Sequence, residues 1–144
     1  ENVHFRFFIF NGNAKVGDLT LTQQTINQSM PRSYDIVPYS NKTKSVWNSI
    51  ASCDFVISTR LHASIFACFS NTPFMLNEYH RKCGDFLDDV GQSESYRLYN
   101  SDFNIDEKAQ QILDVATDKT KYIKPRNFTN MIEKSFLNFT SVSL

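Results

Sequence analysis

Apolar and polar positions along the chain switch repeatedly between short runs and helical-period stretches. Residues 3–10, Val-His-Phe-Arg-Phe-Phe-Ile-Phe, are the longest apolar run and predict a first strand. Asn11-Gly12-Asn13 is a turn signal. Residues 15–30 predict a helix whose apolar contacts are Leu19, Leu21, Ile26 and Met30, with Pro31 just beyond its end. A second strand at 34–37 closes at Pro38, and a helix over 42–52 carries Val46, Trp47 and Ile50. A third strand at 54–58 leads into a helix over 60–70. Asn71-Thr72-Pro73 turns the chain into a fourth strand at 74–77. A helix over 80–90 follows, for which Gly91 is the end cap. A weak strand lies near 96–99, and residues 105–116 predict a helix with Ile105, Ala109, Ile112, Leu113 and Ala116 on one stripe. After Pro125 a last helix carries Phe128, Ile132, Phe136 and Phe139 at helical spacing.

Strands alternating with helices predict an α/β fold: a Rossmann-like parallel sheet with helices on both faces. Being the longest apolar run, the first strand is expected at the centre, giving the order 2-1-3-4-5. The switch point then falls between strands one and three, beside Asn11 and Arg60. Residues 1–124 form the α/β lobe, and 125–144 a closing helix that packs on this lobe or on another. The chain enters a strand directly after Glu1-Asn2 with no initiator methionine, so it reads as a piece of a longer protein.

Composition narrows the classes. The chain has 144 residues, 41% of them apolar and 21% charged, enough for a real core and unlike a disordered segment. Lys and Arg balance Asp and Glu, so the basic face of a general nucleic-acid binder is not expected. No apolar run approaches the roughly 20 residues of a membrane helix. Cys53, Cys68 and Cys83 are odd in number and form no C-x-x-C, which indicates neither a disulfide framework nor a zinc site. Cys53 and Cys68 read as small core residues, and free thiols suit the cytoplasm. No metal-ligand spacing, G-x-G-x-x-G or P-loop occurs, and no cofactor is expected.

The chemistry concentrates at Ser58-Thr59-Arg60-Leu61-His62, where a strand ends and a helix begins. In open parallel sheets ligands bind at the carboxyl ends of strands. A helix N-terminus adds unpaired N–H groups and partial positive charge, which favour phosphate or carboxylate. The Arg60 fork suits such anions, and the His62 imidazole titrates near neutrality and can act as acid or base. Set singly, Arg60 is as readily a structural cap, and a lone histidine such as His62 is more often structural than catalytic. A second polar cluster, Asn77-Glu78-Tyr79-His80-Arg81-Lys82, follows the fourth strand, and Lys82 is its candidate phosphate ligand. Asn11 and Gly12 close the first strand at the same predicted edge, where a tight turn is the simpler reading.

These segments together resemble the polysaccharide pyruvyl transferase family. The resemblance is carried by Ile57-Ser58-Thr59-Arg60-Leu61-His62-Ala63, by the Asn71-Thr72-Pro73 turn, and by Tyr79-His80-Arg81-Lys82 with Phe86 after it. Phe8-Ile9-Phe10-Asn11-Gly12-Asn13 adds support, so that the resemblance covers about residues 3–91. It implies the C-terminal lobe of a two-lobed, glycosyltransferase-B-like enzyme whose other lobe supplies much of the acceptor side. It implies transfer of pyruvate from phosphoenolpyruvate to a sugar, forming a ketal. His62 and Arg60 would be catalytic. Ser58, Thr59, Arg60, Lys82, Asn11 and Gly12 would bind substrate, with neither metal nor cofactor. The alternatives are a nucleotide-sugar-dependent glycosyltransferase lobe, for which Glu78 is the candidate ribose ligand, and a catalytically silent lobe that binds a glycan or a partner. The apolar stripe of the last helix must be buried against something, and the expectation is that the chain self-associates through this helix or leaves it poorly ordered.

Overall fold

A computed structural model of the chain describes residues 3–99 and 103–133. Two compact units are present, Glu1–Val46 and Trp47–Leu144.

The first unit contains β1 (Phe5–Phe8), α1 (Leu19–Ser29) and β2 (Tyr34–Val37). The two strands run parallel, pairing Phe5 with Tyr34 through Phe8 with Val37. Alternation sorts their side chains by face. Phe5 and Phe7 stack at 6.3 Å between centroids, and Tyr34 meets Phe7 edge-on at 6.1 Å. His4 and Arg6 both reach the Asp35 carboxylate, at 3.1 and 3.3 Å. Between β1 and α1 the chain is held by asparagine and aspartate side chains. Asn13 Oδ1 accepts from the N–H groups of Lys15 and Val16, and Asp18 Oδ2 accepts from those of Phe10 and Asn11. Such local bonds compete with helix formation. They explain why α1 begins at Leu19 rather than near residue 15. The predicted apolar stripe of this helix is correspondingly wrong. Ile26 is buried, whereas Leu19, Leu21 and Met30 are exposed, and Met30 is the left-handed residue that ends the helix.

The junction of the two units falls within α2 (Thr43–Ala51). The second unit continues with β3 (Val56–Ser58), α3 (Leu61–Phe69), β4 (Phe74–Asn77), α4 (Arg81–Val90), a 3-10 turn at Glu94–Tyr96, β5 (Arg97–Leu98), α5 (Ile105–Thr117) and a 3-10 turn at Lys119–Lys121. Residues 128–133 are helical. The predicted last helix thus begins within the described residues, while Phe136 and Phe139 lie outside them. Strands β3, β4 and β5 form a parallel sheet with β4 in the middle. The parallel α/β class is as predicted. So are the β2–β1, β3–β4 and β4–β5 pairings, which make a two-stranded ladder in the first unit and a three-stranded one in the second.

The buried strand is β4, in which Phe74, Met75 and Leu76 are all fully buried. A strand covered on both faces reads as continuous apolar sequence, and each such side chain is worth roughly 1.5–3 kcal/mol. Met75 packs with Tyr96, Val115 and Tyr122, and Phe55, Leu98 and Ile112 surround them. The Tyr96 and Tyr122 rings meet edge-on at 4.7 Å. Buried Gln92 is satisfied by donating Nε2–H to the Phe74 carbonyl and to Tyr122 Oη. On α5 the buried residue is Val115, whereas Ile105, expected on the apolar stripe, is exposed at the first helical position. Asn104 caps that helix by accepting from the N–H groups of Asp106 and Glu107. Of the cysteines, Cys68 is buried as predicted, Cys53 is only half-buried, and the second core thiol is Cys83.

Candidate functional site

The site is built on the carboxyl ends of β3, β4 and β5 and the helices that follow two of them. The bend from β3 into α3 is set by Ser58. Its buried Oγ accepts from the Arg60 N–H at 2.8 Å and donates to the Arg60 carbonyl at 2.6 Å. This hydroxyl shapes the backbone that presents Arg60. Arg60 is the N-cap residue of α3 with an extended backbone, φ −105° and ψ 120°, and its carbonyl accepts from Ala63. His62 lies in the first turn of α3, and Thr59, Arg60 and His62 are all exposed. The strand-end, helix-start placement of Arg60 and His62 is thus as the motif predicts. Ser64, one turn in, is fully buried and its Oγ has no hydrogen-bond partner.

After β4 the chain enters α4 through His80, the N-cap, whose Nδ1 accepts from the Lys82 N–H at 3.2 Å. Lys82 sits exposed in the first turn of α4. Both candidate cations, Arg60 and Lys82, therefore stand at helix starts that follow adjacent parallel strands.

Glu78 has a partner that the sequence reading missed. Its two oxygens accept a bidentate pair from Arg97, Nε to Oε1 at 2.6 Å and Nη2 to Oε2 at 2.8 Å, with both side chains about nine-tenths buried. Arg97 Nη1 also reaches Asp88 at 2.6 Å and Glu94 at 3.5 Å. The hydrogen bonding to Glu78 is the first cause that holds the Arg97 guanidinium charged, well above its ordinary pKa. Asp88 is thereby tied to this cluster. Gly84 leaves room for it: a Cβ there would lie 3.0 Å from Glu78 Oε2. The one local signal was Glu94 three positions before an arginine inside a short strand.

A cleft of about 390 Å3 opens beside these strand ends, lined by Ile57, Ser58, Thr59, Asn77, Leu98, Tyr99 and Phe103. Asn77 is half-buried, and its Oδ1 is buried with no partner. Leaving such a group unsatisfied costs about 1–3 kcal/mol. Tyr99 donates its hydroxyl to Glu94 Oε2 at 2.8 Å, and that bond is the first cause of its raised pKa.

Asn11 and Gly12 belong to the first unit. The Asn11 amide donates to the Val16 carbonyl and its Oδ1 accepts from Asn13, so both ends of the side chain serve the turn. Gly12 is required by close approach, since a Cβ there would fall 2.6 Å from the Tyr39 ring. Among the described residues no group of three His, Cys, Asp or Glu side chains comes together, and no helix is long and apolar enough to cross a membrane.

No curated protein and no solved structure matches the chain. The family model for polysaccharide pyruvyl transferase matches residues 3–81, more than half of the chain, including β1, the Arg60-Leu61-His62 bend and β4. On that match the chain belongs to the polysaccharide pyruvyl transferase family.

Proposed function

We propose that the protein transfers pyruvate from phosphoenolpyruvate to a sugar of a polysaccharide or its precursor, closing a cyclic ketal on two hydroxyls. The observation that carries this reading is Arg60 at the N-cap of α3 with His62 in the first turn, in a chain of this family. In the reaction the enol methylene of the donor gains a proton and becomes a methyl group, leaving cationic character at the adjacent carbon. One sugar oxygen bonds to that carbon, and a second displaces phosphate as the carbon–oxygen bond breaks. The two hydroxyl protons leave, which balances the proton taken up and one passed to phosphate or solvent. Arg60 and the first N–H groups of α3 hold a donor anion. Lys82 offsets the charge of the departing phosphate, His62 moves the proton, and Ser58 and Thr59 fix the geometry of the bend. Cationic side chains meet the electrostatic demand. The three thiols are free, and a reducing cytoplasm is the setting we assign.

The rival nucleotide-sugar reading asks Glu78 to grip a ribose. Both Glu78 oxygens are already held by Arg97, which favours the pyruvyl reading. The test is phosphate release from phosphoenolpyruvate, followed by phosphorus NMR, with ketal formation on the sugar followed by mass spectrometry. Arg60→Ala is expected to lower the rate by about 100-fold, the scale for losing one charge-stabilising donor, with folding unchanged because the side chain is exposed. Full activity in this variant would overturn the assignment.

A further inference from the structure

We infer that the buried Arg97–Glu78 pair positions Lys82: it fixes how helix α4 sits on the end of β4, and so where that helix presents its lysine to the donor phosphate. The inference rests on the pyruvyl-transfer reading and adds two positioning residues to it.

The link from β4 to α4 is short, Glu78-Tyr79-His80. Its first residue is held twice by β5. The Glu78 N–H donates to the Leu98 carbonyl at 2.7 Å, and the Glu78 carboxylate takes both arms of the Arg97 fork. The same guanidinium then reaches along α4 to Asp88 through Nη1. Gly84 brings a second point of α4 against the pair, since a Cβ there would lie 3.0 Å from Glu78 Oε2 and 3.8 Å from Arg97 Nη2. Glycine is unfavourable in a helix interior, and here it admits the carboxylate close to the helix backbone. Gly84 and Asp88, four positions apart, share one face of α4. Two contacts on one face resist both sliding and rolling of the helix. Lys82, two positions from Gly84, projects from the opposite side and is exposed. The held face therefore sets the direction of the exposed one. An apolar pair of similar volume often matches or exceeds the stability of a buried ion pair. What the fork adds is bidentate geometry, which an apolar contact lacks. Arg97 and Glu78 are about nine-tenths buried and their charges cancel, so they act through the lysine rather than as ligands.

The test uses the full chain, phosphoenolpyruvate as the probe and phosphorus NMR as the readout, with an amide NMR spectrum to establish that each variant is folded. Lys82→Ala is expected to weaken binding about tenfold. Glu78→Met combined with Arg97→Met removes one charge of each sign, so the net attraction for an anion is unchanged, yet it should weaken binding by a similar factor. Adding Lys82→Ala to that double variant should cost less than about twofold more, because the lysine is already out of place; two independent losses would multiply. Asp88→Ala keeps the buried pair and removes an exposed carboxylate, so it reports even if the double variant does not fold. Removing a negative charge by itself favours an anion. Loss of positioning instead predicts binding weaker by about threefold, an effect that vanishes in a Lys82→Ala background. Losses that multiply overturn the inference. So does wild-type affinity in the double variant, or in Asp88→Ala where the double variant does not fold; in each case the donor reading stands. A wild type that does not bind phosphoenolpyruvate, or a Lys82→Ala variant that binds it as well as the wild type, defeats the reading of Lys82 as a donor ligand and the inference with it.

Discussion

Single residues carry geometry that composition does not announce. Gly12 lies against the Tyr39 ring, where an added Cβ would fall 2.6 Å away. Gly12→Ala is expected to destabilise the protein by about 1–3 kcal/mol in urea unfolding, the cost of overpacking, and Tyr39→Gly in the same chain, which removes the clashing Cβ as well as the ring, should lower the added cost of Gly12→Ala. Two buried acids set the alkaline limit. Burial pushes the Cys68 thiol up from 9.0 to about 12 and the Tyr122 phenol from 10.0 to about 12. Both are neutral groups whose folded pKa lies above the unfolded one. Their stabilisation is complete below pH 9 and declines as pH rises to about 12, because the unfolded chain releases protons that the folded chain keeps. Each group should contribute a slope of about 1.4 kcal/mol per pH unit within its window. Unfolding midpoints measured from pH 8 upward should fall, and Cys68→Ala should flatten the part of the decline that begins near pH 9.

At the scale of elements, the Arg97 cluster joins the end of β4, helix α4 and the start of β5 through Glu78, Asp88 and Glu94. Arg97→Met leaves the Glu78 carboxylate buried and unpaired, and a loss of about 3–5 kcal/mol is expected in denaturant unfolding. The double variant with Glu78→Met should be clearly more stable than Arg97→Met alone; equal stability would mean that the pair is not coupled. Strand and helix identities were legible because short apolar runs and turn residues punctuate the chain at Pro31, Pro38, Pro73 and Gly91. Gly91 does end α4 in a left-handed conformation. The Arg60-His62 bend was legible because the motif is local. What was not legible depends on distant partners. The Arg97–Glu78 pair spans 19 positions, and the burial of β4 rather than β1 depends on which strand gains neighbours on both sides. The false stripe at Leu19 and Leu21 came from a helix start displaced by the Asn13 turn.

For the whole molecule, the two units differ in how much they bury. Ile9 and Ile26 are the buried apolar residues of the first unit, whereas the second holds an extended core around Met75. A two-stranded sheet is marginal on its own. Hydrogen exchange should therefore run much faster at Phe7 and Phe8 amides than at Met75 and Leu76, and comparable protection would refute the distinction. The helix that begins at residue 128 presents half-buried Phe128 and Ile132, and we propose that its stripe drives self-association. Light scattering should show a dimer or larger for the full chain and a monomer for a chain ending at Lys124; a monomeric full chain defeats the idea.

The backbone just before that helix has its own attachment. Arg126 and Asn127 donate their N–H groups to the carbonyls of Gly91 and Val90, and the Asn127 amide reaches Asp89. Helix α4 is thus clasped at its far end by chain that arrives more than thirty positions later, while its near end carries Lys82. One tip of this helix thus carries the lysine we propose as a phosphate ligand, and the other is bonded to the C-terminal segment. A partner that drew on that segment would pull on the helix that carries the lysine, without touching the bend at Arg60.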